Sequence, residues 1–265
     1  MKNEKPTDRF ERALILAHGL HQNQVRKGTP VPYISHLMAV SSLVLEDGGT
    51  EDEAIAALLH DAVEDQGGRP TLNRIRELFG QRVAELVEGC TDAYGSPKPP
   101  WRKRKEDHLA HLAQADPGMQ RIKVADMLHN VRCTLKGFRE LGAALWERFS
   151  VGRDEQLWYY RSACRVFSKE KVSANLPELR RAVALLARLC RASAKAMASP
   201  ALEGGCFEAP TGGPPSSSKK DERTPPLGKG RYKVLPSDKE YHRECLETAK
   251  WAMDNLRRNL QKDSN

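Results

Sequence analysis

Ten consecutive residues, Ala56-Ala57-Leu58-Leu59-His60-Asp61-Ala62-Val63-Glu64-Asp65, pass from an apolar run into side chains that can bind a metal or move a proton. On a continuous helix, residues three and four apart share a face, which sets His60 above Glu64 and Asp61 above Glu64 and Asp65. Burying polar groups without partners costs roughly 2–7 kcal/mol each even when they are neutral. The pattern therefore calls for a compensating charge, and a divalent cation supplies one. Two further residues of the same chemistry, His36 and Asp126, lie in separate helical segments. Two imidazoles and two carboxylates form a borderline-to-hard donor set suited to manganese, iron, magnesium or zinc, with positions left for water and substrate oxygens. Glu64 and Asp65, a turn beyond the doublet, are placed to accept a proton from such a water. Each residue alone has a plainer reading: His36 as a core or capping histidine, His60-Asp61 as a surface pair, Asp126 as a backbone partner.

These side chains need helices to carry them, and the apolar spacing predicts helices almost throughout. Phe10, Ala13, Leu14, Ala17 and Leu20 mark a first helix over 8–21, capped by Thr7 or Asp8. Pro30, Pro32 and Gly28 forbid helix in the loop Arg26–Tyr33. A second helix over 34–45 carries His36 in its first turn, and Gly48-Gly49 ends it. Thr50-x-x-Glu53 is a capping box that starts the helix bearing the doublet, closed by Gly67-Gly68 and Pro70. Thr71 is expected to cap a short helix ending at Phe79-Gly80, followed by one over 81–90. A proline-bearing connection leads to Trp101, the basic run Arg102–Lys105 and a helix that breaks at Asp116-Pro117-Gly118. The segment 121–135 carries Asp126, His129 and Asn130, and further helices are expected over 138–149, 153–167 and 176–194. Strand alternation is almost absent, so the fold class is all-α.

Composition narrows the partners. A chain of 265 residues, 39% hydrophobic and 29% charged, is a globular and soluble type. Its net charge of +8 suits anionic small molecules such as nucleotides. The six cysteines are scattered without a C-x-x-C pair, which fits reduced thiols packed as small hydrophobes. No apolar run approaches the roughly 18 residues of a membrane span and no secretory signal follows Met1, so a cytoplasmic protein is expected. From about residue 198 the composition turns rich in Pro, Gly and Ser. The expected organisation is a helical domain over 1–196, a disordered low-complexity linker over 197–236 and a C-terminal amphipathic helix over 237–265. That last helix would dock on the domain, self-associate or meet a partner helix through 237–262.

The ordered set of motifs resembles a known family. A His, a His-Asp doublet and a later Asp resemble the metal site of HD-domain phosphohydrolases. Pro-Tyr-Ile-x-His (32–36), Leu-Leu-His-Asp-x-x-Glu-Asp (58–65), Phe79-Gly80 and Lys-x-Ala-Asp-x-Leu-His-Asn-x-Arg (123–132) are similar to the hydrolase domain of Rel/SpoT proteins and to the small alarmone hydrolases. The resemblance spans roughly residues 8–190. It implies an HD-domain helical bundle and a manganese-dependent hydrolysis that removes the 3′-pyrophosphate of (p)ppGpp or (p)ppApp-type nucleotides. It further implies His36, His60, Asp61 and Asp126 as metal ligands and Glu64 and Asp65 as the catalytic pair that activates water. Arg26 and Lys27 would pack on the base, and Asn130 would contact the nucleotide. Leu37 and Gln66-Gly67 depart from the Rel pattern and the Arg-Lys loop is one residue longer, which leaves guanine and adenine both open. No synthetase or regulatory domain is expected after the hydrolase domain.

Around that core the remaining residues divide. Arg102 and Arg104 are candidates for clamping the pyrophosphate, since guanidinium forks match phosphate oxygens, although a basic run is more often a solvated face. His129 is expected to donate a structural hydrogen bond and not to ligate metal. His18, His21, His108 and His111 are expected at the surface or in packing, and Trp146, Trp158, Tyr159 and Tyr160 in the core. Two alternative functions stand beside the first: a phosphohydrolase acting on another nucleotide, and a non-catalytic protein that binds nucleotides or nucleic acid. Nucleic acid is the weaker partner, because every ligand and both acidic residues of a working site are present.

Overall fold

The computed structural model describes residues 6–92, 99–167 and 173–198, all within one unit, Met1–Gly204. The proposed linker and the amphipathic tail over 237–265 lie outside the described residues. The described chain is all-α. Its helices are α1 (Asp8–His21), α2 (Ile34–Glu46), α3 (Glu51–Leu59), α4 (Ala62–Asp65), α5 (Arg69–Phe79), α6 (Gln81–Cys90), α7 (Trp101–Leu112), α8 (Pro117–Leu141), α9 (Arg153–Val166) and α10 (Leu176–Ala198). A 3-10 segment, Gly142–Arg148, separates α8 from α9. An isolated bridge between Val25 and Pro32 pinches the loop ahead of α2, and no β-strand occurs among the described residues.

The bundle is built around α3. Ala54, Ile55, Ala56, Ala57 and Leu59 are fully buried, so this helix is apolar on every side and is walled in by α1, α2, α6 and α8. Its start is the predicted capping box: the Glu53 N–H donates to Thr50 Oγ1 at 3.3 Å and the Thr50 N–H to Glu53 Oε2 at 3.0 Å. The same Glu53 carboxylate accepts from Arg121 of α8 at 2.5 Å, so one residue caps α3 and ties it to α8. Gly118 fits beside that carboxylate because it lacks a Cβ, which would collide with Glu53 and Asp116.

Three helix boundaries differ from the sequence expectation. The doublet helix is not continuous: α3 stops at Leu59, His60 and Asp61 form a turn, and α4 resumes at Ala62. The His60 side chain explains the break. Its Nδ1 meets the Ala57 carbonyl at 2.7 Å, the acceptor that the Asp61 N–H would use in an unbroken helix. Helix α5 begins at Arg69, before Thr71, with Pro70 in its first turn where a missing N–H costs nothing. Thr71 donates its hydroxyl to the Gln66 carbonyl instead of capping. The expected helix over 138–149 does not exist as such. Helix α8 runs on to Leu141, ends on Gly142 at φ +59°, and passes into the 3-10 segment.

Helices α7 and α9 close one flank through Trp101, whose ring lies edge-on to Trp158 and Tyr159. His108, expected at the surface or in packing, is buried there at 5% exposure, with Nδ1 3.0 Å from Asp92 Oδ1. Burial and then Lys123 push its pKa down to about 3, against the pull of Asp92, so the ring is neutral in the fold at pH 7. In the unfolded chain the imidazole protonates near the ordinary histidine value of 6.5. The folded value lies below the unfolded one, so this contribution to stability is whole above pH 6.5 and drains away as pH falls toward about 3. Between pH 7 and pH 5 the loss from this group is about 2 kcal/mol. Denaturant unfolding of His108→Gln should show a correspondingly shallower loss of stability over that window. A loss as steep as in the parent protein would mean that the buried ring is charged.

Candidate active site

Helix α2 brings His36, the turn after α3 brings His60 and Asp61, and α8 brings Asp126. Their side chains converge. His60 Nε2 is 3.0 Å from Asp61 Oδ2 and 3.8 Å from Asp126 Oδ1. His36 Nε2 is 3.4 Å from Asp126 Oδ1 and 3.7 Å from Asp61 Oδ2. Candidate ligand atoms of His36, His60 and Asp126 all lie within 4.8 Å of one another, and Asp61 Oδ2 sits against both rings.

The charge state of this cluster calls for a cation. Burial pushes Asp126 up, but Lys123, His36 and His60 together hold it well below the usual carboxylate range. Burial likewise raises Asp61, and His60 outweighs it, keeping the carboxylate ionised. Burial lowers His36, whereas His60 is raised because Asp61 and Asp126 outweigh its burial. Two ionised carboxylates thus face two buried rings.

A divalent metal fits the residues present. With the Nδ1 proton of His60 committed to the Ala57 carbonyl, Nε2 carries the lone pair. That Nε2 is buried and has no hydrogen-bond partner among the described residues. An orphaned imidazole nitrogen beside a second imidazole and two carboxylates is the donor set of a divalent transition metal or magnesium.

Supporting side chains hold these groups in place. Tyr33 donates its hydroxyl to Asp61 Oδ2 at 2.6 Å. Lys123 donates to Asp126 Oδ2 at 2.8 Å and Asn130 to Asp126 Oδ1 at 2.6 Å. His36 Nδ1 lies 2.8 Å from His129 Nδ1. Tyr33 and Lys123 stood inside the quoted sequence motifs, and Lys123, one helical turn before Asp126, could have been found from its spacing.

His36, Asp61 and Asp126 line a cavity of about 820 Å³, with His60 buried behind them. Glu64 and Asp65 line it, as expected. Glu64 Oε2 accepts from the Asp92 N–H at 3.3 Å, and its Oε1 is 4.0 Å from Arg104. Asp65 Oδ2 accepts from Gln24 at 2.8 Å. Arg26, Lys27 and Asn130 line the cavity too. Arg26 donates to the Asn130 carbonyl oxygen and lies over the Tyr33 ring, 5.4 Å from its centroid.

The basic run divides. Arg104 lines the cavity together with Lys105, which pairs with Asp92. Arg102 does not reach the cavity. It pairs with Glu106 and Glu155 and lies 3.3 Å from the centroid of Trp158 on the outer face of α7. One helical step separates Arg102 from Lys103 and two from Arg104, so three consecutive basic residues cannot share a face. Sequence reasoning missed Asp92, and within the basic run Arg102–Lys105 it singled out Arg102 and Arg104 but not Lys105. Asp92 stood in a connection with no pattern around it, and only the fold brings it under α7.

Comparison with known proteins agrees with this architecture. Residues 13–146 match the family model for the HD domain. The chain is 37% identical over 127 residues to the Xenopus tropicalis guanosine-3′,5′-bis(diphosphate) 3′-pyrophosphohydrolase MESH1, covering 45% of this chain and 68% of that one. The guanosine-3′,5′-bis(diphosphate) 3′-pyrophosphohydrolase of Aquifex aeolicus is 40% identical over 134 residues, which is 50% of this chain and 18% of its own length. A solved structure of a metazoan ortholog of SpoT that hydrolyzes ppGpp superposes with a TM-score of 0.56 at 25% identity, over 71% of this chain and 97% of that one. No described helix is long and apolar enough to cross a membrane. A buried His-His-Asp cluster on three helices, a domain match over half the chain and relatives of this kind lead to one assignment: the chain belongs to the HD-domain family, among the Rel/SpoT-type hydrolases.

Proposed function

We propose that the protein is a manganese-dependent hydrolase that removes the 3′-pyrophosphate from alarmone nucleotides of the (p)ppGpp or (p)ppApp type. The observation that carries this reading is the convergence of the His36, His60, Asp61 and Asp126 side chains, three of which line one cavity with Arg26, Lys27, Arg104 and Lys105. The guanosine-3′,5′-bis(diphosphate) 3′-pyrophosphohydrolase activity of the MESH1 relatives supports it. In this reading those four residues hold the metal, which when bound neutralises phosphoryl charge and makes a water more acidic. The soft-to-hard balance of two nitrogens and two oxygens suits manganese.

The other side chains take distinct parts. Glu64 accepts the proton of the attacking water, and Asp65, held by Gln24, is its partner across the same turn. Water adds to phosphorus as the bond to the 3′ oxygen breaks. Pyrophosphate leaves, and the nucleoside 3′-hydroxyl takes up a proton. Arg104 and Lys105 are placed on the cavity wall to meet the pyrophosphate, Arg104 as a fork and Lys105 as a point charge. Arg26 and Lys27 offer a cationic surface for the purine, and Asn130 contacts the nucleoside while its amide holds Asp126. A cytoplasmic setting agrees with the free thiols of Cys90, Cys133, Cys164 and Cys190.

Product analysis on ppGpp and pppApp with manganese supplied tests the assignment. The expected products are pyrophosphate and the matching 5′-phosphorylated nucleoside. Release of orthophosphate would move the protein to a different nucleotide phosphohydrolase, and turnover of neither substrate by metal-loaded protein would sink the proposal. Asp61→Ala should lose bound metal and turnover together, read by elemental analysis beside the assay. Glu64→Gln should retain the metal yet lose about 10²–10⁴ in turnover, the usual weight of a general base. A fully active Gln variant would show that the base lies elsewhere.

A further inference from the structure

His36 and His129 approach each other nitrogen to nitrogen, Nδ1 to Nδ1, at 2.8 Å. Their ring centroids are 4.9 Å apart. A contact of that length between two imidazole nitrogens holds a single proton, with one ring donating and the other accepting. His36 is itself buried at 1% exposure, and its Nε2 points at Asp126 and Asp61. For Nε2 to offer a lone pair to a metal, the ring proton must sit on Nδ1. His129 Nδ1 must then be the acceptor, with its own proton on Nε2.

The reverse arrangement would put the His36 proton on Nε2, in the ligand position. His60 has the matching device in simpler form, since its Nδ1 meets the Ala57 carbonyl, an acceptor that cannot donate. His36 has no such carbonyl. Among the described residues the hydrogen-bond partner of its Nδ1 is His129, carried on α8 one turn beyond Asp126 and lining the cavity.

We infer that His129 is a positioning residue for the metal centre: by accepting from His36 Nδ1 it fixes the tautomer and ring orientation that let His36 Nε2 ligate. In this inference His129 accepts at Nδ1, where the expectation from sequence had it donate. The inference rests on the metal site proposed above and deepens it. Outer partners of ligating histidines typically carry 10–100-fold in metal affinity.

The test is calorimetric titration of the full chain with Mn²⁺ alone, without substrate. His129→Leu removes the acceptor and should weaken Mn²⁺ binding about 10–100-fold. His129→Asn puts an amide oxygen close to where Nδ1 stood and should restore most of that loss, which a merely space-filling role would not predict. Leu at the parent affinity, or Asn as weak as Leu, overturns the inference. Should the Leu variant fail to fold by circular dichroism, His129→Gln, whose oxygen is displaced by one methylene, takes its place against Asn with the same expected contrast. Failure of the parent protein to bind Mn²⁺ would strike the metal site itself. Tight binding by the parent with no effect of the substitutions strikes only the role of His129.

Discussion

The organising constraint is a charge imbalance buried at the centre of an apolar bundle. Asp61 and Asp126 remain ionised beside two imidazoles that helices α2, α3 and α8 hold among side chains with almost no exposure. Lys123 offsets one of those charges. A divalent cation would offset the other and leave a single positive excess beside the cavity. That sign suits a polyphosphate and disfavours a neutral ligand. The same convergence of two imidazoles and two carboxylates is a donor set able to hold a divalent metal.

The cavity beside the cluster is divided by charge. Glu64 and Asp65 sit on one side of the turn, while Arg26, Lys27, Arg104 and Lys105 line the walls. Two relays run from the wall. Arg26 donates to Asn130 Oδ1, and the Asn130 amide donates to Asp126, so one side chain links the wall to the carboxylate cluster. Asp92 accepts from Lys105 while its N–H donates to Glu64, so the cationic wall of α7 and the Glu64 carboxylate share one anchor. Binding and catalysis therefore draw on a common set of hydrogen bonds.

Much of this was legible in the sequence because it depends on local rules. Helix periods, the Thr50–Glu53 capping box and the spacing of the four ligand residues are properties of short segments. They foretold an all-α fold and the residues that meet. What could not be read depends on long-range approach. Asp92 and Lys105 meet across residues that carry no pattern, and Arg102 and Arg104 separate because a helix rotates them apart. The 3-10 segment after Gly142 replaced an expected helix because a residue at positive φ ends α8, and apolar spacing does not report φ.

The break at His60–Asp61 shows why a local rule failed where the chemistry is done. Neighbouring residues on an α-helix point about 100° apart, so a continuous helix would aim the ring and the carboxylate in different directions. Here the His60 ring bonds back to Ala57 and Asp61 settles at φ −98° and ψ −4°. Tyr33 then pins the carboxylate from the loop side. The helix gives up regularity at two residues, and two adjacent side chains gain a common target 3.0 Å apart. The His-Asp doublet can aim two adjacent side chains at one point because the backbone that carries it is not quite a helix.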